Sequence, residues 1–124
     1  MAADIDNRRQ PQKMLCVLEL KDIAASPATA TSNSFWLLHS KFATLHVTRD
    51  TGAEALQIDL QALYPDGTWV TVLQLAAAST AARASFSINI DGKVINYSSL
   101  DHRILITNGG GTQADDVSLY VDRD

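Results

Sequence analysis

Residues 55–75 constrain the fold more than any other stretch. They read A-L-Q-I-D-L-Q-A-L-Y, then P-D-G, then T-W-V-T-V-L-Q-L. Alternation with period two is the strand period, because successive side chains of a strand point to opposite faces. Leu56, Ile58 and Leu60 fall on one face, and Gln57, Asp59 and Gln61 on the other. Pro65 presets a turn φ, and Gly67 takes the positive φ that closes a hairpin. The spacing therefore predicts a β-hairpin at the heart of an all-β domain. In its second strand Trp69, Thr71, Leu73 and Leu75 are expected on one face, with Val70 and Val72 on the other. A strand apolar on both sides is expected to be buried on both, in a sandwich or at a subunit interface.

The remaining segments repeat the theme. Lys13 to Lys21 is nearly continuous in apolar character and has strand length. Asp22 to Asn33, rich in Ala, Ser and Thr with Pro27, reads as a surface loop with room for one helical turn at Ile23. Ser34 to His39 reads as a short strand. Ala43 to Thr48 alternates, with Leu45 and Val47 inward, and a turn follows at Arg49 to Gly52. Ala76 to Ala84 is Ala-rich but lacks a stripe of large residues, so a short helix and a small-residue loop are both open. Ser85 to Ile90, Lys93 to Tyr97 (after an Asp91-Gly92 turn), His102 to Thr107 and Val117 to Val121 complete the set. Some eight or nine short strands with turns between them describe a sandwich or barrel. The expected organisation is a polar N-terminal arm over residues 1–12 and one β-sandwich over 13–124.

At 124 residues the chain has the size of one domain. Apolar residues make up 46%, which supports a folded core rather than disorder. The formal net charge of −4 disfavours nucleic acid and anionic membranes as partners, since both select a basic stripe. The lone cysteine, Cys16, excludes an intrachain disulfide and reads as a buried thiol. No apolar run reaches the ~20 residues of a membrane span. The N-terminus lacks the apolar centre of a signal peptide, so synthesis in the cytosol without secretion is expected.

The sequence carries few marks of catalytic or metal chemistry. His39, His46 and His102 show no paired spacing for zinc. No nucleophile elbow accompanies the serines. Asp115-Asp116 lacks a calcium-loop pattern, and Gly109 to Gly111 precede no helix that would make a phosphate cradle. Glu54 and Asp59 qualify as paired acids only by scarcity, and a cleft joining His46 to Asp59 would be needed to revive an enzymatic reading. The expectation is a non-enzyme without metal or cofactor. Trp36 and Trp69 read either as core or as sugar-stacking platforms, and Tyr120, out of phase with Val117, Leu119 and Val121, as facing a neighbour or solvent.

Two segments carry a resemblance. Leu56 to Leu73 (L-Q-I-D-L-Q-A-L-Y-P-D-G-T-W-V-T-V-L) is similar to a strand–turn–strand segment of phage and prophage structural proteins, with Asp66, Gly67 and Trp69 matching a D-G-x-W turn. Tyr64 and Pro65 stand where small polar residues are more usual. Leu100 to Asp122 resembles the matching end, with an R-x-x-x-T-N strand, a Gly-rich turn and a closing V-x-L-x-V strand. Together they cover about a third of the chain. The chain thus resembles tailed-bacteriophage capsid decoration (cement) and virion accessory proteins of jelly-roll type.

That resemblance implies a β-sandwich of jelly-roll kind, a place on the capsid surface of a virion, and the major capsid protein as partner. It also implies self-association as a homotrimer or homodimer. Arg8, Arg9, Trp36, Trp69 and Tyr120 are the candidate partner-binding residues, the two arginines by pairing with capsid carboxylates. The alternative is a carbohydrate- or receptor-binding sandwich of a fibre or tail.

Overall fold

The computed structural model describes residues 14–25, 27–37, 42–50, 54–89 and 100–123. Among them are eight strands: β1 (Met14–Ile23), β2 (Ala28–Thr31), β3 (Phe42–Thr48), β4 (Leu56–Leu63), β5 (Trp69–Ser79), β6 (Arg83–Asn89), β7 (His102–Asn108) and β8 (Ala114–Arg123). They form two four-stranded antiparallel sheets, one ordered β1-β8-β3-β6 and the other β2-β7-β4-β5. The first strand pairs with the last, the second with the second-last, and so inward to the β4–β5 hairpin. A long antiparallel ribbon rolled up in this way is a jelly roll. The expected all-β sandwich is therefore the observed one.

The hairpin at the centre of the ribbon forms as its sequence dictates. Gly67 adopts φ 87°, its N–H donates to the Tyr64 carbonyl at 2.9 Å, and Thr68 N–H bonds the Asp66 carboxylate at 3.0 Å. Leu56, Ile58, Leu60 and Ala62 turn inward and are at most 1% exposed. Ile104 and Ile106 face the same interior from β7, opposite Leu15, Leu45, Leu119 and Val121 of the first sheet. Each such side chain contributes about 1.5–3 kcal/mol on burial. Leu45 and Val47 point inward and Thr44, His46 and Thr48 outward, as the alternation requires. Val117, Leu119 and Val121 share the core face of β8, and Cys16 is buried.

Four expectations are corrected. First, Asp22 to Asn33 is not a plain loop. β1 runs on to Ile23, and the alternating A-T-A-T of β2 pairs with β7, Ala30 inward and the threonines outward. Second, the strand expected over Ser34 to His39 is reduced, within its described part, to a single bridge between Phe35 and His102. Phe35 and Leu37 are buried there, between β2 of the second sheet and β3 of the first in chain order. Third, Ala76 to Ala84 holds neither a helix nor a long loop. β5 continues to Ser79 and β6 begins at Arg83, because ladder bonds to β4 and β3 outweigh the helix preference of alanine.

The fourth correction concerns β5. Its pairing with β4 slips three times, so β5 carries extra residues relative to its partner. Each bulge resets the alternation. Leu73 lies opposite Leu60 and Ala76 opposite Ile58, both packed against the core together with Val72 and Leu75, while Trp69, Thr71 and Gln74 pair with outward positions of β4. Leu73 therefore does not share a face with Trp69. Nor is β5 buried on both sides: among the described strands it is an edge strand whose large apolar residues are half-buried. The arm over residues 1–12, the Asp91-Gly92 turn and the strand expected over Lys93 to Tyr97 lie outside the described residues.

Candidate functional site

The outer face of the second sheet concentrates polar side chains. Along β4 the outward positions are Gln57, Asp59 and Gln61, opposite Thr107, Leu105 and Arg103 of β7. On the other side Gln61 faces Thr71, Asp59 faces Gln74, and Leu63 faces Trp69 of β5. Antiparallel partners share a face, so these groups form one surface over three adjacent strands.

Their contacts lock the surface. The Arg103 guanidinium lies over the Trp69 ring, 4.3 Å from its centroid, a cation–π arrangement. Arg103 Nε donates to Gln61 Oε1 at 2.8 Å, and Gln61 Nε2 donates to Thr71 Oγ1 at 3.3 Å. Gln57 Nε2 donates to Asp59 Oδ2 at 2.9 Å. Asp59 is only 4% exposed, and its Oδ1 is buried without a hydrogen-bond partner among the described residues. Partial burial lowers the Arg103 pKa from its ordinary value, but a guanidinium stays charged at any physiological pH.

The outer face of the first sheet differs. Met14, Thr44 and Asp122 stand side by side across β1, β3 and β8, and Tyr120 sits between Cys16 and His46. Phe42 precedes Thr44 by one outward step. Met14 and Phe42 are 44% and 46% exposed, and Leu20, at the far end of β1, is 65% exposed. All the exposed large apolar side chains among the described residues thus belong to this sheet. His46 Nδ1 lies 2.8 Å from Ser85 Oγ on the same face.

Of the residues singled out from sequence, Trp69 joins the polar face of the second sheet and Tyr120 the opposite face, so the fold separates them. Trp36 is half-buried. Its indole N–H donates to the Asp101 carboxylate and its carbonyl accepts from Arg123 Nη1 at 2.9 Å. The backbone carbonyl of Asp101 accepts from the Leu63 N–H, which places Trp36 near the Trp69 end of the second sheet. Arg8 and Arg9 lie outside the described residues. His46 and Asp59 sit on different sheets, so the cleft that would have revived an enzymatic reading is absent from the described part. Glu54 accepts from Thr112 Oγ1 at 3.0 Å, in the loop before β4 and apart from the face that holds Asp59. Among the described residues no three His, Cys, Asp or Glu side chains gather as metal ligands would.

Alternation already put Gln57, Asp59 and Gln61 on one face. What sequence reading missed was their partner Arg103, which is 42 residues from Gln61 and reaches it only through the β4–β7 ladder. His102 is the other hidden group. It is fully buried, stacked 6.3 Å from Phe35, and its Nδ1 donates to the Leu100 carbonyl at 2.9 Å. Burial lowers its pKa from 6.5 to about 4, against smaller opposing effects of that hydrogen bond and of Asp101.

No family model matches the chain, and no curated protein matches it. Solved structures do. The VP2 subviral particle of infectious bursal disease virus is similar over 87% of this chain and 31% of its own, with TM-score 0.54 and 13% identity. The Gt strain of the same virus is similar over 91% of this chain and 32% of its own, with TM-score 0.52 and 12% identity. A non-crystalline cellulose specific carbohydrate-binding module, CBM28, aligns over 77% of this chain and 62% of its own, with TM-score 0.47 and 16% identity. The chain spans about a third of the length of the viral chains. At these identities the likeness is one of fold: this chain is a β-sandwich of jelly-roll kind, similar in fold to part of VP2 of that viral particle.

Proposed function

We propose that the protein is a structural virion component, a capsid decoration protein that binds the outer shell and stabilises it through contacts with its own copies. The observation that carries this reading is the division between its two faces. The exposed Met14 and Phe42 stand with Tyr120 on the outer face of the first sheet, whereas the second sheet presents a polar surface. Exposed apolar side chains gathered on one face favour a protein contact. The uncharged edge strand β5 adds a second surface on which copies can meet. The jelly-roll fold shared with a protein of a virus particle agrees with this role. In this reading the major capsid protein is the partner, the assembled copies are a trimer or dimer, and Arg8 and Arg9 pair with carboxylates of the shell.

Light scattering tests the self-association, and co-sedimentation with purified shells tests the attachment. Full-length protein is expected to give a defined oligomer and to sediment with shells. Phe42→Glu, which places a charge among the exposed apolar groups, is expected to abolish one or both, and removal of residues 1–12 to weaken shell binding. A monomer that ignores shells, with Phe42→Glu indistinguishable from it, rejects the reading.

A further inference from the structure

The polar face of the second sheet has no place in shell attachment as proposed above, yet its side chains are tied to one another across three strands. Arg103, Gln61 and Thr71 are hydrogen-bonded across three strands, and the guanidinium lies over the Trp69 ring. Side chains held in this way lose little further freedom when a ligand arrives, which favours binding.

The surface also has unused hydrogen-bonding capacity of both signs. Arg103 donates through Nε, and its terminal Nη groups donate to none of the described residues. One outward step along β4 from Gln61, Asp59 accepts at Oδ2 only, and its buried Oδ1 accepts from none of them. An oxygen of a carboxylate that is 96% buried carries a desolvation cost that a donor relieves. Donors that need an acceptor thus stand beside an acceptor that needs a donor.

That combination selects the ligand. An anion satisfies Arg103 but is repelled by Asp59 and leaves Oδ1 unpaired. A cation does the reverse. Among the described residues Asp59 and Arg103 are the only charged side chains at the outward strand positions of this face, and their charges cancel. A hydroxyl is both donor and acceptor, so a molecule with neighbouring hydroxyls serves both residues at once. The indole offers an apolar surface for the C–H side of a ring. Planar amide, carboxylate and guanidinium groups fix orientation by paired hydrogen bonds, as a specific site requires.

We propose that the face built from Trp69, Arg103, Gln61, Thr71, Asp59 and Gln57 binds a neutral oligosaccharide. Trp69 and Arg103 form the platform, Arg103 and Gln61 hold ring hydroxyls, and Asp59, whose Oδ1 is buried in the free protein, turns outward to accept a hydrogen bond from a further hydroxyl, with Gln57 as its neighbour. The site stands on the second sheet alone and does not depend on the decoration reading.

Isothermal titration of the full-length protein against a panel of hexasaccharides tests it. The panel contains neutral oligomers of glucose, galactose, mannose, xylose and N-acetylglucosamine, with oligomers of uronic acid as the acidic arm. At least one neutral oligomer is expected to bind. Arg103→Ala and Gln61→Ala are each expected to weaken it more than about tenfold, a loss of ~1.4 kcal/mol. Trp69→Phe keeps a platform and is expected to lose less, and Arg83→Ala on the exposed edge strand of the first sheet to bind as the parent does. Circular dichroism confirms that each variant is folded, and Gln57→Ala replaces any that is not. The proposal is overturned if no neutral oligomer binds at millimolar concentration, or if only acidic ones bind. It is equally overturned if Arg103→Ala and Gln61→Ala leave binding intact. Loss of shell co-sedimentation in those two variants, without glycan binding by the parent, would make the face a protein interface instead.

Discussion

Acid should destabilise this protein through one side chain, His102. Its imidazole is fully buried beside Phe35. The Nδ1–H donates to the Leu100 carbonyl, which fixes the tautomer, and Nε2 faces the interior without a partner among the described residues. Protonation would add an N–H and a charge where nothing accepts them, so the folded pKa falls to about 4 from the ordinary 6.5. The sign follows from linkage. Between those two values the unfolded chain holds the proton and the folded chain does not, so stability rises with pH across the window. The contribution is complete above pH 6.5 and is lost as the pH falls towards 4. A difference of this size corresponds to roughly 3 kcal/mol at about 1.4 kcal/mol per pH unit.

Carboxylates titrate in the same range, so the measurement must be a difference. Urea unfolding of the parent and of His102→Phe, from pH 7 to pH 4, isolates the imidazole. The variant keeps an aromatic ring against Phe35 but strands the Leu100 carbonyl, at a cost of about 1 kcal/mol at pH 7. At pH 4 it escapes the protonation penalty and is expected to be the more stable of the two by about 2 kcal/mol. The order of stability therefore inverts within the window. Parallel pH profiles for the two proteins, or a titration of His102 by NMR with a midpoint near 6.5, would refute the reasoning.

Two further substitutions test how the loops are held. Arg49 donates from Nε to the Ala81 carbonyl at 3.0 Å, from Nη1 to Glu54 at 2.7 Å and from Nη2 to Ser79 at 2.8 Å. It ties the end of β3 to the start of β4 and to the β5–β6 turn, so Arg49→Ala is expected to cost about 3 kcal/mol. Arg49→Lys, with one nitrogen for three carbonyls, should recover a minor part, and equal urea midpoints for parent and Lys variant would contradict the account. Asn108 is fully buried; its amide donates to the carbonyls of Ile23, Ala24 and Thr112 and its oxygen accepts from Gly110 N–H. Asn108→Ala is expected to cost about 2–4 kcal/mol in urea unfolding, and a loss under about 0.5 kcal/mol, typical of surface sites, would show that water replaces it freely.

The alternation of Leu56 to Leu63, the Pro-Asp-Gly turn and the V-x-L-x-V ending determined by themselves that this chain builds antiparallel strands around a single apolar face. Such patterns are local, because the two sides of a strand are set by neighbouring residues. They also placed Leu45, Val47, Val117, Leu119 and Val121 in the core and Gln57, Asp59 and Gln61 together outside it. The tertiary structure alone decided the rest. Ala28–Thr31 became a strand because β7 offers it an edge, and the alanines after Leu75 stayed extended because β4 and β3 hold their backbone. The bulges of β5 turned Leu73 inward and Trp69 outward, against plain alternation. The meeting of Arg103 with Trp69 and Gln61, and the burial of His102, depend on residues far apart in the chain that only strand pairing brings within a few ångströms. Hydrophobic period is written residue by residue, whereas register and the choice of neighbouring strand are settled by the total of ladder bonds and core packing.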